Sequence, residues 1–377
     1  MLTAALPLAS PLWAQDMDAF WRATCERLAA EPMETPVESV TEARPSRKFK
    51  VTLRRPGDVR VRAWPALVLG NWIFPVLLML IVTHSDAATS ATMQDLTIRD
   101  EQRGIDIDCR IQLPEGRQKV PLIVFSHGFG ADRTAFTPIA QHWADHGFVV
   151  ISPSHRDGFG KSKGKDGGLP AGGLPALIKN AVHKIENRVG DIAFIFDSLD
   201  LLTAKIPALK DRIDRGRIGV AGHSLGAYTT MLVGGVTADL GEVKARSFKD
   251  ERVRCILLIS AQGTGQQGLT ETSWAHLTIP MLAVTGSLDQ GAGGQNAEWK
   301  KEPFKFSAAG DKYLVFIEGA NHVSFGGAIP GTITDAVKAG TLAFWNAYLK
   351  EDAAAKTSLS KGTVLTAWPT TARIESK

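Results

Sequence analysis

Arg217-Ile218-Gly219-Val220-Ala221-Gly222-His223-Ser224-Leu225-Gly226 is the stretch that decides the fold. Its first five residues read as a buried strand and residues 225–236 as a helix, with Gly222, Ser224 and Gly226 fitting G-x-S-x-G between them. A serine at such a junction sits on a turn so sharp that its hydroxyl projects from the sheet edge. Glycines flank it because a Cβ there would collide with neighbouring backbone. The pentapeptide alone arises by chance; the strand before it and the helix after it give it weight.

Outward from the turn, the same alternation continues. Strand patterns fall at residues 105–113, 120–125, 147–152, 253–260, 281–285 and 313–317, and helical patterns at 137–146, 185–202 and 332–349. Val120-Pro121-Leu122-Ile123-Val124-Phe125 is a continuous apolar run, as a strand covered on both faces requires. On the 185–202 helix, Ile192, Ile195, Leu199 and Leu202 share one face. Strands alternating with helices predict an α/β fold, a mostly parallel central sheet with helices on both faces. One segment breaks the rhythm. Residues 157–175 (DGFGKSKGKDGGLPAGGLP) form a Gly/Lys/Pro-rich insertion after a strand end, readable equally as a mobile rim over a site or as a solvated loop.

Composition narrows the class. Of 377 residues, 44% are hydrophobic and 22% charged, which is ordinary globular usage. The net charge of +4 comes from bases interspersed with acids, without a basic stripe carrying aromatics, so nucleic acid is not an expected partner. Cys25, Cys109 and Cys255 lack CxxC or CxxH spacing, which argues against a zinc site or redox dithiol; Cys109 and Cys255 read as small buried thiols.

The front of the chain admits three readings. Residues 64–82 carry no charge, follow Arg60 and Arg62, and precede Ser85 and Ala87 in a small-x-small pattern. Read as a targeting segment, they imply a secreted or periplasmic enzyme that begins near Ala88. Read as structure, strand patterns near residues 50–53, 61–64 and 75–80 make a folded extension. Read as an anchor, nineteen uncharged residues just suffice to span a bilayer, although Pro65, Gly70 and Pro75 disfavour a straight helix. Membrane contact is expected only on that third reading. The resulting division is 1–92, an N-terminal segment; 93–350, a catalytic domain; and 351–377, a C-terminal tail.

Ser224 needs a base within hydrogen-bond reach to act as a nucleophile. Of the nine histidines, His322, in Gly319-Ala320-Asn321-His322, stands in a loop after the last predicted strand and downstream of the serine. Asp289, in Thr285-Gly286-Ser287-Leu288-Asp289, follows a buried strand between the two and suits the acid that holds the base's tautomer. An oxyanion needs two backbone donors. The amide of Leu225 follows the nucleophile, and Ser126-His127-Gly128-Phe129-Gly130 offers a glycine turn in which the amide of Phe129 is the second choice. Such chemistry requires no metal and no organic cofactor.

The Ser126–Gly130 turn, Trp143-Ala144-Asp145-His146-Gly147-Phe148-Val149-Val150, and the motifs at 222–226, 285–289 and 319–322 together resemble the α/β-hydrolase superfamily. Over residues 93–350 the pattern is most similar to platelet-activating-factor-acetylhydrolase-like and dienelactone-hydrolase-like bacterial esterases. The His127-Gly128-Phe129 turn and the 146–151 strand entry are also similar to cutinase-type polyester hydrolases. Dienelactone hydrolases carry cysteine as nucleophile, whereas this chain has Ser224; the elbow and the Gly/Lys insertion depart from polyester hydrolases. The resemblance implies an α/β-hydrolase fold and hydrolysis of a small-molecule or polymeric carboxylic ester through a serine-bound acyl enzyme. The absence of an apolar lid pattern adds a preference for short acyl chains. Polyester hydrolase, lipase, thioesterase and amidase chemistry would use the same triad, and a non-catalytic binding protein would be expected to lack one of its members.

Overall fold

A computed structural model describes residues 91–156, 185–291 and 293–377, and the backbone of four short strands before them. The chain divides into two compact units, 1–89 and 90–377. In the first, Ser39–Ala43 pairs antiparallel with Lys48–Thr52, and Val59–Val61 with Val82–His84. The apolar run at 64–81, the 157–175 insertion and Cys25 lie outside the described residues. No helix among the described residues is long and apolar enough to cross a membrane.

The second unit is built on nine strands: β1 (Thr92–Asp100), β2 (Ile105–Leu113), β3 (Val120–Ser126), β4 (Val149–Pro153), β5 (Ile213–His223), β6 (Val253–Ile259), β7 (Met281–Leu288), β8 (Lys312–Asn321) and β9 (Ala372–Ser376). Their order across the sheet is β9-β8-β7-β6-β5-β3-β4-β2-β1. The six neighbouring strands β4-β3-β5-β6-β7-β8 run parallel; β9 joins one edge antiparallel to β8, and at the other edge β2 is antiparallel to β4 and β1 antiparallel to β2. This is the α/β-hydrolase fold.

Two apolar clusters cover the sheet. One gathers Leu122, Val124, Val220 and Leu258 with Ile192 and Ile195 of α2 (Ile185–Asp197) and Met231 of α3 (Leu225–Gly234). The other gathers Ile123, Phe125, Ala221 and Leu257 with Trp143 of α1 (Thr137–Asp145) and Trp345 of α4 (Thr332–Leu349). Alternate residues of one strand thus feed opposite cores, which is why β3 is buried at every position. Trp143 Nε1 donates to Thr341 Oγ1 at 3.0 Å, so the two helices on that face share a satisfied polar contact inside the apolar layer.

Two sequence expectations need correction. The predicted 185–202 helix is broken: α2 ends at Asp197 and a second helix, Leu199–Lys205, starts after Ser198. Residues 351–377 are also not a tail. They form the helix Ala353–Ser360, capped by the Asp352 side chain, and the edge strand β9, paired with β8 from Tyr313↔Ser376 to Ile317↔Ala372. A five-residue strand whose exposed face is polar carries too little periodicity to be read against a loop. Cys109 and Cys255 are both buried, in β2 and β6.

Candidate active site

Adjacent parallel strands present their C-terminal ends along one edge, where ligands of open α/β sheets bind. From these ends emerge the 126–130 turn (β3), Ser224 (β5), Ser260 (β6), Asp289 (β7) and the loop bearing His322 (β8). The sheet brings Ser224 beside His322, 98 positions away in the chain.

Ser224 has φ 54° and ψ −119°, a conformation that side chains rarely adopt, at the first cap of α3. Close packing holds it there. A Cβ on Gly222 would lie 2.1 Å from the carbonyl oxygen of Gly226, and one on Gly226 would lie 1.9 Å from that of Ser126. The elbow is therefore pressed on its own helix and on the 126–130 turn. On that turn, a Cβ on Gly128 would sit 3.4 Å from Ser224 Cβ.

His322 Nε2 lies 3.1 Å from Ser224 Oγ, and its Nδ1 lies 3.1 Å from Asp289 Oδ1. The three side chains predicted to work together are thus in hydrogen-bond sequence. Asp289 is wholly buried, and the Thr285 hydroxyl donates to its Oδ2 at 2.8 Å. Burial alone would raise its carboxyl pKa. The hydrogen bond with His322, the nearby Lys300 ammonium and the hydroxyls of Thr285 and Ser260 outweigh that and hold it below the usual carboxylate range. The arrangement can take a proton from a serine hydroxyl and stabilise the resulting imidazolium. Leu225 opens α3 directly after Ser224, and Phe129 lies on the turn facing it.

Three participants escaped the sequence reading. Ser260 Oγ stands 2.8 Å from both Asp289 Oδ1 and His322 Nδ1. His223 Nε2 donates to the His322 backbone carbonyl at 2.8 Å, so the elbow histidine anchors the loop of the other. Lys300, buried, donates to the Ser260 carbonyl at 3.2 Å. Only Ser260 had a signal, a polar residue closing an apolar strand beside the predicted elbow. Among the described residues no group of three or more His, Cys, Asp or Glu side chains is arranged to hold a metal ion.

Lys300 supplies a pH-dependent prediction. Desolvation lowers its ammonium to about 8, partly countered by the Asp289 charge. Between about pH 8 and the ordinary lysine value of 10.5, the unfolded chain binds a proton that the folded chain lacks. Stability from this group therefore grows as pH rises through that window. Replacing Lys300 by methionine removes the effect. Melting temperatures from pH 7 to 10.5 should show the wild type gaining on Lys300→Met above pH 8, and a constant difference would contradict the assignment.

The family described as platelet-activating factor acetylhydrolase, isoform II, matches residues 90–161, which include β1 to β4 and the 126–130 turn. The chain is 30% identical over 236 residues to a platelet-activating factor acetylhydrolase of Canis lupus familiaris, covering 55% of this chain and 48% of that one. The Bos taurus protein of the same name is 31% identical over 171 residues, 38% of this chain and 35% of the relative. An uncharacterized 31.7 kDa protein of the traX-finO intergenic region of Escherichia coli is 29% identical over 195 residues, 50% of this chain and 56% of the other. The chain spans about half the length or less of the acetylhydrolases it matches here. The expected likeness to platelet-activating-factor-acetylhydrolase-like serine esterases is borne out.

Proposed function

We propose that this chain is a carboxylic ester hydrolase that works through an acyl enzyme, with Ser224 as nucleophile, His322 as general base and Asp289 as its orienting acid. The observation that carries the reading is the unbroken contact from Ser224 Oγ through His322 to the buried Asp289, on an elbow strained at the nucleophile. His322 takes the serine proton as Oγ attacks the ester carbonyl, then returns it to the leaving alcohol. Water activated by the same imidazole releases the acid. The amides of Leu225 and Phe129 are the proposed donors to the oxyanion.

The substrate we propose is an ester with a short acyl group. The relatives' name, acetylhydrolase, describes removal of an acetyl group. The sequence at residues 157–175, after β4, is Gly/Lys/Pro-rich and lacks the apolar pattern of a lid suited to a long acyl chain. Leu288 and Val323, neighbours of Asp289 and His322, are 59% and 79% exposed, so among the described residues these apolar side chains flank the site without enclosing it. An enclosed acyl tunnel would gain about 0.8 kcal/mol for each methylene buried, and an open site forgoes much of that. Accordingly, kcat/KM on p-nitrophenyl esters is expected to peak between about two and six acyl carbons and to fall for longer chains. A maximum at about twelve carbons would overturn the short-acyl reading. A polyester film run beside the series tests the polymer alternative.

A further inference from the structure

The mechanism leaves one buried charged cluster unused. Arg188 and Asp191, one turn apart on α2, point into the protein behind the 126–130 turn and are both almost wholly buried. Arg188 Nη1 donates to the His127 carbonyl at 2.6 Å, and Nη2 to the Gly128 carbonyl at 3.3 Å. Nη1 also lies 3.4 Å from Ser126 Oγ, which is 2.9 Å from His155 Nε2; the His155 Nδ1 in turn reaches Asp191 Oδ2 at 2.8 Å.

His127 completes the arrangement, and its tautomer follows from its partners. The backbone N–H of His155 donates to His127 Nε2 at 2.9 Å, so that nitrogen carries no proton. Nδ1 must then carry it, and donates to the Gly128 carbonyl at 2.7 Å. Burial, then the neighbouring Arg188 charge, pushes the His127 pKa well below the usual range, in keeping with a neutral ring. The Gly128 carbonyl oxygen thus accepts from His127 Nδ1, from Arg188 Nη2 and, at 3.3 Å, from the amide of Ala131.

A trans peptide points its C=O and N–H in opposite directions. Whatever fixes the Gly128 carbonyl therefore fixes the N–H of Phe129. We propose that Arg188 and His127 are positioning residues that hold the Gly128–Phe129 peptide with its N–H turned toward the oxyanion above Ser224. Three donors on one carbonyl also polarise the amide, which strengthens the N–H as a donor. The charge stays behind the peptide, and the site presents only a backbone dipole fixed before the reaction begins. The inference rests on the proposed ester-hydrolase reading and names what orients one of its two donors.

The test uses the full chain with His127→Asn, His127→Gln and Arg188→Lys. An asparagine amide can reproduce the Nδ1 donation to Gly128, whereas glutamine reproduces the Nε2 acceptor and loses that donation. A lysine ammonium cannot serve both carbonyls in the fixed fork of a guanidinium. Removing an oxyanion donor outright costs about 100- to 1,000-fold in kcat, so a misaimed donor should cost roughly 10- to 100-fold in H127Q and R188K, with KM within about threefold. Affinity for a trifluoromethyl ketone, which forms an oxyanion on the serine, should fall in parallel, and H127N should retain more of both than H127Q. Equal losses in H127N and H127Q that track their melting temperatures would overturn the inference, as would unchanged ketone affinity. The histidine pair decides the matter even if R188K does not fold. A wild-type chain that neither hydrolyses esters nor reacts with a fluorophosphonate would refute the parent reading and this inference with it. An active wild type with unaffected variants would refute the inference alone.

Discussion

Replacing Ser224 by alanine is expected to lower kcat for ester hydrolysis by about ten-thousand-fold or more, and to abolish labelling by a fluorophosphonate probe. The nucleophile is the one group no neighbour replaces, because the residual rate must come from water attacking a substrate held by the remaining donors. Folding should survive. The side chain's hydrogen bond to His322 is lost, but Ser224 N still donates to the Ile259 carbonyl at 3.0 Å and its own carbonyl still accepts from Tyr228 N at 3.1 Å. Alanine inherits the same strained backbone as serine, so the melting temperature should move little. Persistent probe labelling in a folded S224A protein would sink the assignment.

The parts of this molecule that could be read in advance share a physical cause. Strands buried on both faces leave continuous apolar runs, and the turns that follow them carry the glycines demanded by close packing. Residues 120–125 and 217–226 therefore announced both element and site, and Asp289 and His322 followed from their places after β7 and β8. What stayed hidden depends on side chains meeting across the sheet. Lys300 lies on the four-residue helix Ala297–Lys300, a solvated pattern in sequence, yet its amine is buried against β6. Arg188 sits four positions before Ile192 on the apolar stripe of α2, and a charge inside such a stripe was a signal that went unread. Nothing in the elbow pentapeptide marks His223 for a role; only the fold shows it holding the His322 backbone.

The second large effect concerns the acid. Asp289→Asn is expected to reduce kcat by about a thousand-fold, less than the roughly ten-thousand-fold loss known for the equivalent change in a serine protease triad. The neutral amide neither stabilises an imidazolium by charge nor reliably accepts the Nδ1 proton, so the unproductive tautomer of His322 gains population. Ser260 limits the damage. Its Oγ is nearer to His322 Nδ1, at 2.8 Å, than Asp289 Oδ1 is, at 3.1 Å. In the wild type the hydroxyl donates to Asp289 Oδ1 and shares the Nδ1 proton as an acceptor. Without the carboxylate it can still accept that proton and keep Nε2 free to take the one on Ser224. Ser260→Ala alone should therefore cost about tenfold or less, since the carboxylate remains, whereas adding it to Asp289→Asn should cost at least a further tenfold or more. Residues in contact within one network are expected to couple in this way, and a double-mutant cycle on kcat reads the coupling directly. Purely additive losses would mean that Ser260 only packs beside Asp289, and that the carboxylate orients His322 without help.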